Sequence, residues 1–185
     1  MRTTLRTLVC LLLFGAAAVD LTATTARRLS NADLAETADI IVIGRCTDVR
    51  AVWENPRTLV TVGTVAVTER LKGDAGDTIP VALPGGIDTN RRIPIGVTYA
   101  GAPQMRDGED VFLFLSRDEA IASGFTVIGF SQGKFSIVAD GKGGKAVSRD
   151  LTQITLVGPA GTSRGAAAFI ALADFKGEIL RYLGR

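Results

Sequence analysis

Ile40-Ile41-Val42-Ile43-Gly44-Arg45-Cys46-Thr47-Asp48-Val49-Arg50-Ala51-Val52, then Leu59-Val60-Thr61-Val62-Gly63-Thr64-Val65-Ala66-Val67-Thr68-Glu69-Arg70-Leu71, is the stretch that decides the fold. β-Branched residues alternate with polar or small ones along both halves, and a period of two is that of a strand with one face buried. Between the halves lies Glu54-Asn55-Pro56-Arg57. Asn bonds its own backbone in turns and Pro presets φ, so this cluster reads as a turn and the halves as an antiparallel hairpin.

Working outward, Lys72-Gly73-Asp74 and Gly76-Asp77 end the second strand, and residues 78–83 supply a third. Pro84-Gly85-Gly86 opens the least regular stretch, which runs to about Asp107 and contains a short strand over 95–99. Connections of this length tend to carry function. Arg106-Asp107-Gly108-Glu109 then turns the chain into residues 111–115, a continuous apolar run that predicts a strand buried on both faces. Further strands are expected over 125–130, 134–139 and 145–148, the last two joined by the turn Asp140-Gly141-Lys142-Gly143-Gly144. Upstream, Ser30 or Asn31 caps a short helix to about Ala38. Downstream, Thr162 or Ser163 caps a helix over about 163–184, in which Phe169, Ile170, Leu172, Ala173, Ile179, Leu180 and Leu183 share one side. About seven strands with a helix before and after predict a mainly β fold: a small antiparallel OB-like barrel flanked by an N-terminal and a C-terminal helix, with a β-sandwich as the alternative.

The chain's start reads as an address. Arg2 and Arg6 precede an apolar run from Leu8 to Val19, and small residues follow at Ala16, Ala18, Ala23, Thr24 and Ala26. That run is about 12 residues long, whereas a membrane span needs roughly 20, so residues 1–26 are expected to be a cleaved export signal. Cleavage is expected after Ala23 or Ala26, and residues 27–185 form a single domain that is periplasmic or secreted, with no integral membrane span. Cys10 leaves with the signal, and Cys46, in a strand-like apolar run, is expected to be a buried thiol.

Composition excludes several chemistries. The chain has 21 Lys and Arg against 19 Asp and Glu, and removing residues 1–26 leaves 19 against 18. So small an excess makes no electrostatic case for nucleic acid. With no histidine in the chain, Ser-His-Asp and Cys-His catalysis and the HExxH motif are excluded. No metal or cofactor site is expected.

Ser131-Gln132-Gly133-Lys134 matches the Ser-x-x-Lys pattern of a nucleophile with a lysine one helical turn away. Its Gly and strand-like flanks predict instead a bulged turn in which Gly133 permits close backbone approach. The acidic pairs Glu109 and Asp110, Asp118 and Glu119, and Asp74 and Asp77 sit in predicted turns and read as solvated. Trp53, at a strand end near the first turn, reads as core or barrel-rim packing rather than ligand stacking. The candidate recognition residues are Arg91 and Arg92, in the long loop beside Asn90, with Tyr99, Gln104 and Met105 nearby.

Ala38-Asp39-Ile40-Ile41-Val42-Ile43-Gly44, then Leu71-Lys72-Gly73, then Gly108-Glu109-Asp110-Val111-Phe112-Leu113-Phe114-Leu115 form an ordered series. It resembles the netrin-like, OB-type barrel of the tissue inhibitors of metalloproteinases and their bacterial relatives. Pro84-Gly85-Gly86, Gly101-Ala102-Pro103 and Gln132-Gly133-Lys134-Phe135 add a likeness to an uncharacterised family of exported bacterial proteins associated with secreted metalloproteases. The resemblance covers about residues 30–139 and implies the barrel. It does not imply the inhibitors' chelation of zinc through an N-terminal Cys, since no Cys stands at the expected mature start. The expected function is an exported, non-enzymatic binding module, with a secreted protease or an envelope protein as partner. A serine hydrolase using Ser131 and Lys134 and a structural envelope component are the alternatives.

Overall fold

In the computed structural model, which describes residues 24–119, 121 and 124–185, strand β1 (Thr24–Arg27) and helix α1 (Asn31–Thr37) lead into the hairpin of β2 (Ile40–Asn55) and β3 (Thr58–Lys72). All but residues 24–26 of the expected export signal lie outside the described residues. Then follow β4 (Thr78–Pro84), β5 (Gly86–Asp88), β6 (Ile95–Val97), β7 (Asp110–Arg117), β8 (Phe125–Val127), β9 (Lys134–Ala139) and β10 (Lys145–Asp150). The chain ends with β11 (Ile154–Gly158), β12 (Gly161–Arg164), β13 (Ala167–Ala171) and helix α2 (Leu172–Tyr182).

The hairpin forms where its alternation requires, and the Asn55 side chain accepts from the Arg57 backbone N–H at 2.9 Å to hold the turn. β2 then pairs twice, with β3 along its length and with β7 over Ile40 to Arg45. β3 pairs with β4, β4 touches β8 in parallel through Ala82 and Thr126, and β8 pairs back to β7. The large sheet therefore closes into a ring of five strands, β2-β3-β4-β8-β7. Numbered within the ring, the order is 1-2-3-5-4, the connectivity of an OB-type fold. Four register shifts along the β2–β3 pair supply the bending that closure needs. Gly44 sits at one of them, where a Cβ would collide with the Ala66 carbonyl of β3.

β7 is buried on both faces, as its apolar run predicts. Val111, Leu113 and Leu115 join Ile40, Val42, Val65, Ile79, Val81 and Leu83 in one cluster. Phe112 and Phe114 join Leu34, Ile41, Phe135, Phe175 and Ile179 in a second cluster beneath the two helices. Cys46 is a free thiol with no exposure, and burial raises its pKa.

Helix α1 starts as expected. Ser30 Oγ accepts from the Asp33 N–H, and the Asp33 carboxylate accepts from the Ser30 N–H at 2.8 Å, a reciprocal capping box. The C-terminal expectation fails over its first nine residues. The helix begins at Leu172, and Thr162 and Ser163 lie in strand β12. Residues 167–171 form β13, which pairs antiparallel with β10 through Ala171 to Ala146 and Ile170 to Val147. Those alanines suit a helix locally, and the ladder offered by the β10 edge overrides that preference. Among the described residues no helix is long and apolar enough to cross a membrane.

Candidate functional site

Where the chain leaves the ring between β4 and β7, β5 and β6 pair as a small antiparallel hairpin. Its base is fastened by residues the sequence marks only in part. Trp53, near the end of β2, donates its indole N–H to Asp88 at 2.7 Å, and Arg91 Nε donates to the same carboxylate oxygen at 2.9 Å. The Arg91 guanidinium also lies 4.9 Å from the Trp53 ring centroid. The Trp53 indole, the Asn90 amide and Arg91 together hold the Asp88 carboxyl below its ordinary value. Arg91 is thus anchored within the loop, and Trp53 fastens that loop to the end of β2.

Beyond that base the hairpin is exposed. Ile87 is 63 % exposed, Ile93 76 % and Tyr99 50 %, and Ile95 and Arg92 also face solvent. Met105 is buried against Gly63 and belongs to the ring cluster, so it supports the segment from below. Gln104 is exposed and lies on a different surface, the wall of a polar cleft. Of the five recognition residues read from the sequence, the fold therefore leaves Arg92 and Tyr99 on the exposed segment. It ties Arg91 down, buries Met105 and sends Gln104 elsewhere.

The polar cleft has a volume of about 430 Å³ and is formed by residues 101–104 and Arg106, Glu109 just before β7, the turn before β9 with the start of that strand, and β10 with Gln153 beyond it. Lys134 and Glu109 form an ion pair in its wall, with side chains only 11 % and 17 % exposed. Lys134 also donates to Ser136 Oγ at 2.9 Å, and Ser136 donates to the same glutamate oxygen. Burial pushes the Glu109 carboxyl up, but the bonds from Lys134 and Ser136 outweigh it and hold the pKa below its ordinary value. Glu109 is therefore no solvated turn residue. Asp110, expected likewise in a turn, begins β7 and pairs with Arg45 at 2.7 Å and Lys145 at 3.3 Å. In one sequence nothing reveals these partners, because strand register alone brings Ser136 opposite Val111 and so beside Glu109.

Ser131 and Lys134 both line the cleft, but Lys134 directs its bonds to Glu109 and Ser136 and none reaches Ser131 Oγ. The segment is a turn rather than a helix. A Cβ at Gly133 would lie 2.9 Å from the carbonyl oxygens of Ile128 and Phe114, which is the close backbone approach expected there. Its neighbour Gln132, 1 % exposed, is a fastener the sequence reading missed. It accepts from the Leu29 N–H at 2.9 Å and donates to the Arg27 carbonyl at 2.7 Å, binding the segment after β1 to this turn.

No protein-family model and no curated protein sequence matches the chain.

Proposed function

We propose that the protein is an exported, non-enzymatic binding module of the netrin-like, OB-type class that docks a protein partner through the β5–β6 segment. The carrying observation is the concentration of exposed apolar side chains there. Ile87, Ile93, Ile95 and Tyr99 lie within thirteen residues and make up half of the eight large hydrophobics exposed among the described residues. Single exposed apolar residues need no explanation, but a cluster beside a cation such as Arg92 is the composition of a protein-docking patch. The fastening of this segment by Trp53, Asp88 and Arg91 supports the reading, since a pre-ordered patch loses less entropy on binding. The non-enzymatic part is supported by the bonding of Lys134, which leaves Ser131 without a base. A secreted protease remains the proposed partner, with an envelope protein as the other, both on the resemblance stated above.

The test is recovery of the partner from envelope extract and culture medium by the immobilised protein, read by mass and by protease activity in the bound fraction. The double variant Arg92→Ala, Ile93→Asp keeps the fold, because both side chains are exposed and surface changes of this kind cost within about 0.5 kcal/mol. It is expected to lose at least about tenfold of the recovered partner, as interface anchors do. Unchanged recovery by the folded variant removes the patch from the proposal.

Export carries a second expectation. Thr24 Oγ1 donates to the Ala100 carbonyl at 2.7 Å, and residues 24–27 pair in parallel with residues 154–157. Cleavage after Ala26 removes three of the four residues of β1, whereas cleavage after Ala23 leaves the strand whole. N-terminal sequencing of the exported protein is expected to start at Thr24. A start at Arg27 overturns that assignment.

A further inference from the structure

Arg149 is a half-buried cation without a carboxylate partner. Its guanidinium stacks 4.4 Å from the Phe135 ring centroid, and Nη1 donates to the Gln132 carbonyl at 2.6 Å. The Nε atom is buried and makes no hydrogen bond, and no acid among the described residues forms an ion pair with the side chain. Burial alone pulls its pKa down to about 10, with no neighbouring charge acting to hold it up. Ser131, 6 % exposed, stands beside it in the same cleft with its hydroxyl likewise unbonded. Buried polar groups are nearly always satisfied, and each exception calls for an explanation. Two exceptions in the wall of one solvent-open cleft, both able to donate, share an explanation.

We propose that this cleft is a recognition site for a carboxylate, which accepts from Arg149 and Ser131. The charges in its wall favour that ligand. Arg106, Lys134 and Arg149 face Glu109 and Asp150, so the lining carries one excess positive charge. Both acids are already engaged, Glu109 with Lys134 and Ser136, and Asp150 with the Thr152 N–H and hydroxyl. A single negative charge balances the site, whereas a dianion overshoots it. Arg149 is suited to the task, because stacking and one hydrogen bond already fix its guanidinium, so little further ordering is needed to engage a carboxylate. The cleft volume, about 430 Å³, admits a few residues of peptide or a small organic acid. None of the residues of the exposed apolar patch lines the cleft, and the proposal does not depend on that patch docking a partner.

The experiment is a titration followed by backbone amide NMR shifts of Ser131, Gln132 and Arg149. The probes are acetyl-Ala-Ala-Ala with a free C-terminal carboxylate, the same peptide as its C-terminal amide, gluconate, and inorganic phosphate. Saturable shifts at the three amides are expected with a carboxylate probe, and at least about tenfold weaker binding with the amide peptide, the factor a charge-assisted hydrogen bond commands. Binding by the free-acid peptide over gluconate assigns the source to a peptide chain, and the reverse order to a small organic acid. Arg149→Gln is expected to lose about tenfold or more of that affinity. Because this change also removes the bond to the Gln132 carbonyl, Ser131→Ala is the companion variant, and it is expected to weaken binding about threefold or more with unchanged thermal stability. Absence of shifts with both carboxylates, equal binding of the amide peptide, tighter binding of phosphate, or unchanged affinity in folded Ser131→Ala each overturns the proposal.

Discussion

Replacing Phe175 with Ala is expected to destabilise the folded protein by about 3–5 kcal/mol, the usual range for removing a buried aromatic ring. Phe175 has no exposure and is where the C-terminal helix enters the core. Its ring lies 4.6 Å from that of Phe135, 5.0 Å from Phe112 and 6.3 Å from Phe114, and the contacts with Phe112 and Phe114 are edge-on. Removing it takes one ring from a four-ring cluster and leaves a cavity between rigid neighbours on β7 and β9 that cannot collapse into it. Phe169 makes the comparison. It lies three residues before the helix and is 60 % exposed, so Phe169→Ala is expected to cost no more than about 0.5 kcal/mol. Urea unfolding of the two variants checks both values, and equal costs would show that α2 is not anchored through Phe175.

That contrast marks where the sequence was readable. Phe169 and Phe175 both fit one apolar helix face, and periodicity cannot tell that the chain is still a strand at residue 169. The pairing of β13 with β10 decides it, and that ladder joins segments separated by the whole β11–β12 hairpin. The ring strands were readable because each carries its own pattern, alternation in β2 and β3 and an unbroken apolar run in β7. Closure was not readable, since β4 and β8 meet through a single residue pair, Ala82 with Thr126. β11 carries a signal of its own, Ile154-Thr155-Leu156 followed by the turn residues Gly158-Pro159-Ala160-Gly161, whereas β12, Gly161-Thr162-Ser163-Arg164, has no strand pattern and is set by its pairing with β11.

For the sites, the long connection was visible from its length and its Pro-Gly punctuation, but which residues face outward depends on tertiary bonds. Arg91 and Arg92 are indistinguishable in sequence, and only Asp88 beneath separates the anchored one from the free one. Arg149 was invisible for a related reason. On a strand of mixed charge it resembles any solvated cation until Phe135 of the neighbouring strand covers it.

Lys134→Met is the other change with a large expected effect, and its size depends on pH. Replacing one member of a buried ion pair leaves the other charge in the protein without compensation, at a cost of about 3–5 kcal/mol near neutral pH. Here the abandoned group is Glu109, which keeps only Ser136 and the Arg106 backbone N–H. In the unaltered protein the folded-state pKa of Glu109 lies below the ordinary 4.5, with Lys134 among the groups that hold it there. A depressed carboxyl pKa contributes stability that is complete above the unfolded value and is lost as pH falls through the folded one. Unaltered protein therefore loses the pair's contribution below about pH 4.5. In Lys134→Met the main opponent of burial is gone, so less stability remains to be lost there. The gap between the two proteins is expected to be widest at pH 7 and to narrow steadily below about pH 4.5, as measured by urea unfolding across that range. A gap that stays constant means the pair contributes packing rather than charge. Because the same pair walls the cleft beside Arg149 and Ser131, its loss also leaves a free carboxylate competing for that guanidinium. Lys134→Met is therefore expected to weaken carboxylate binding at pH 7 even where the protein remains fully folded.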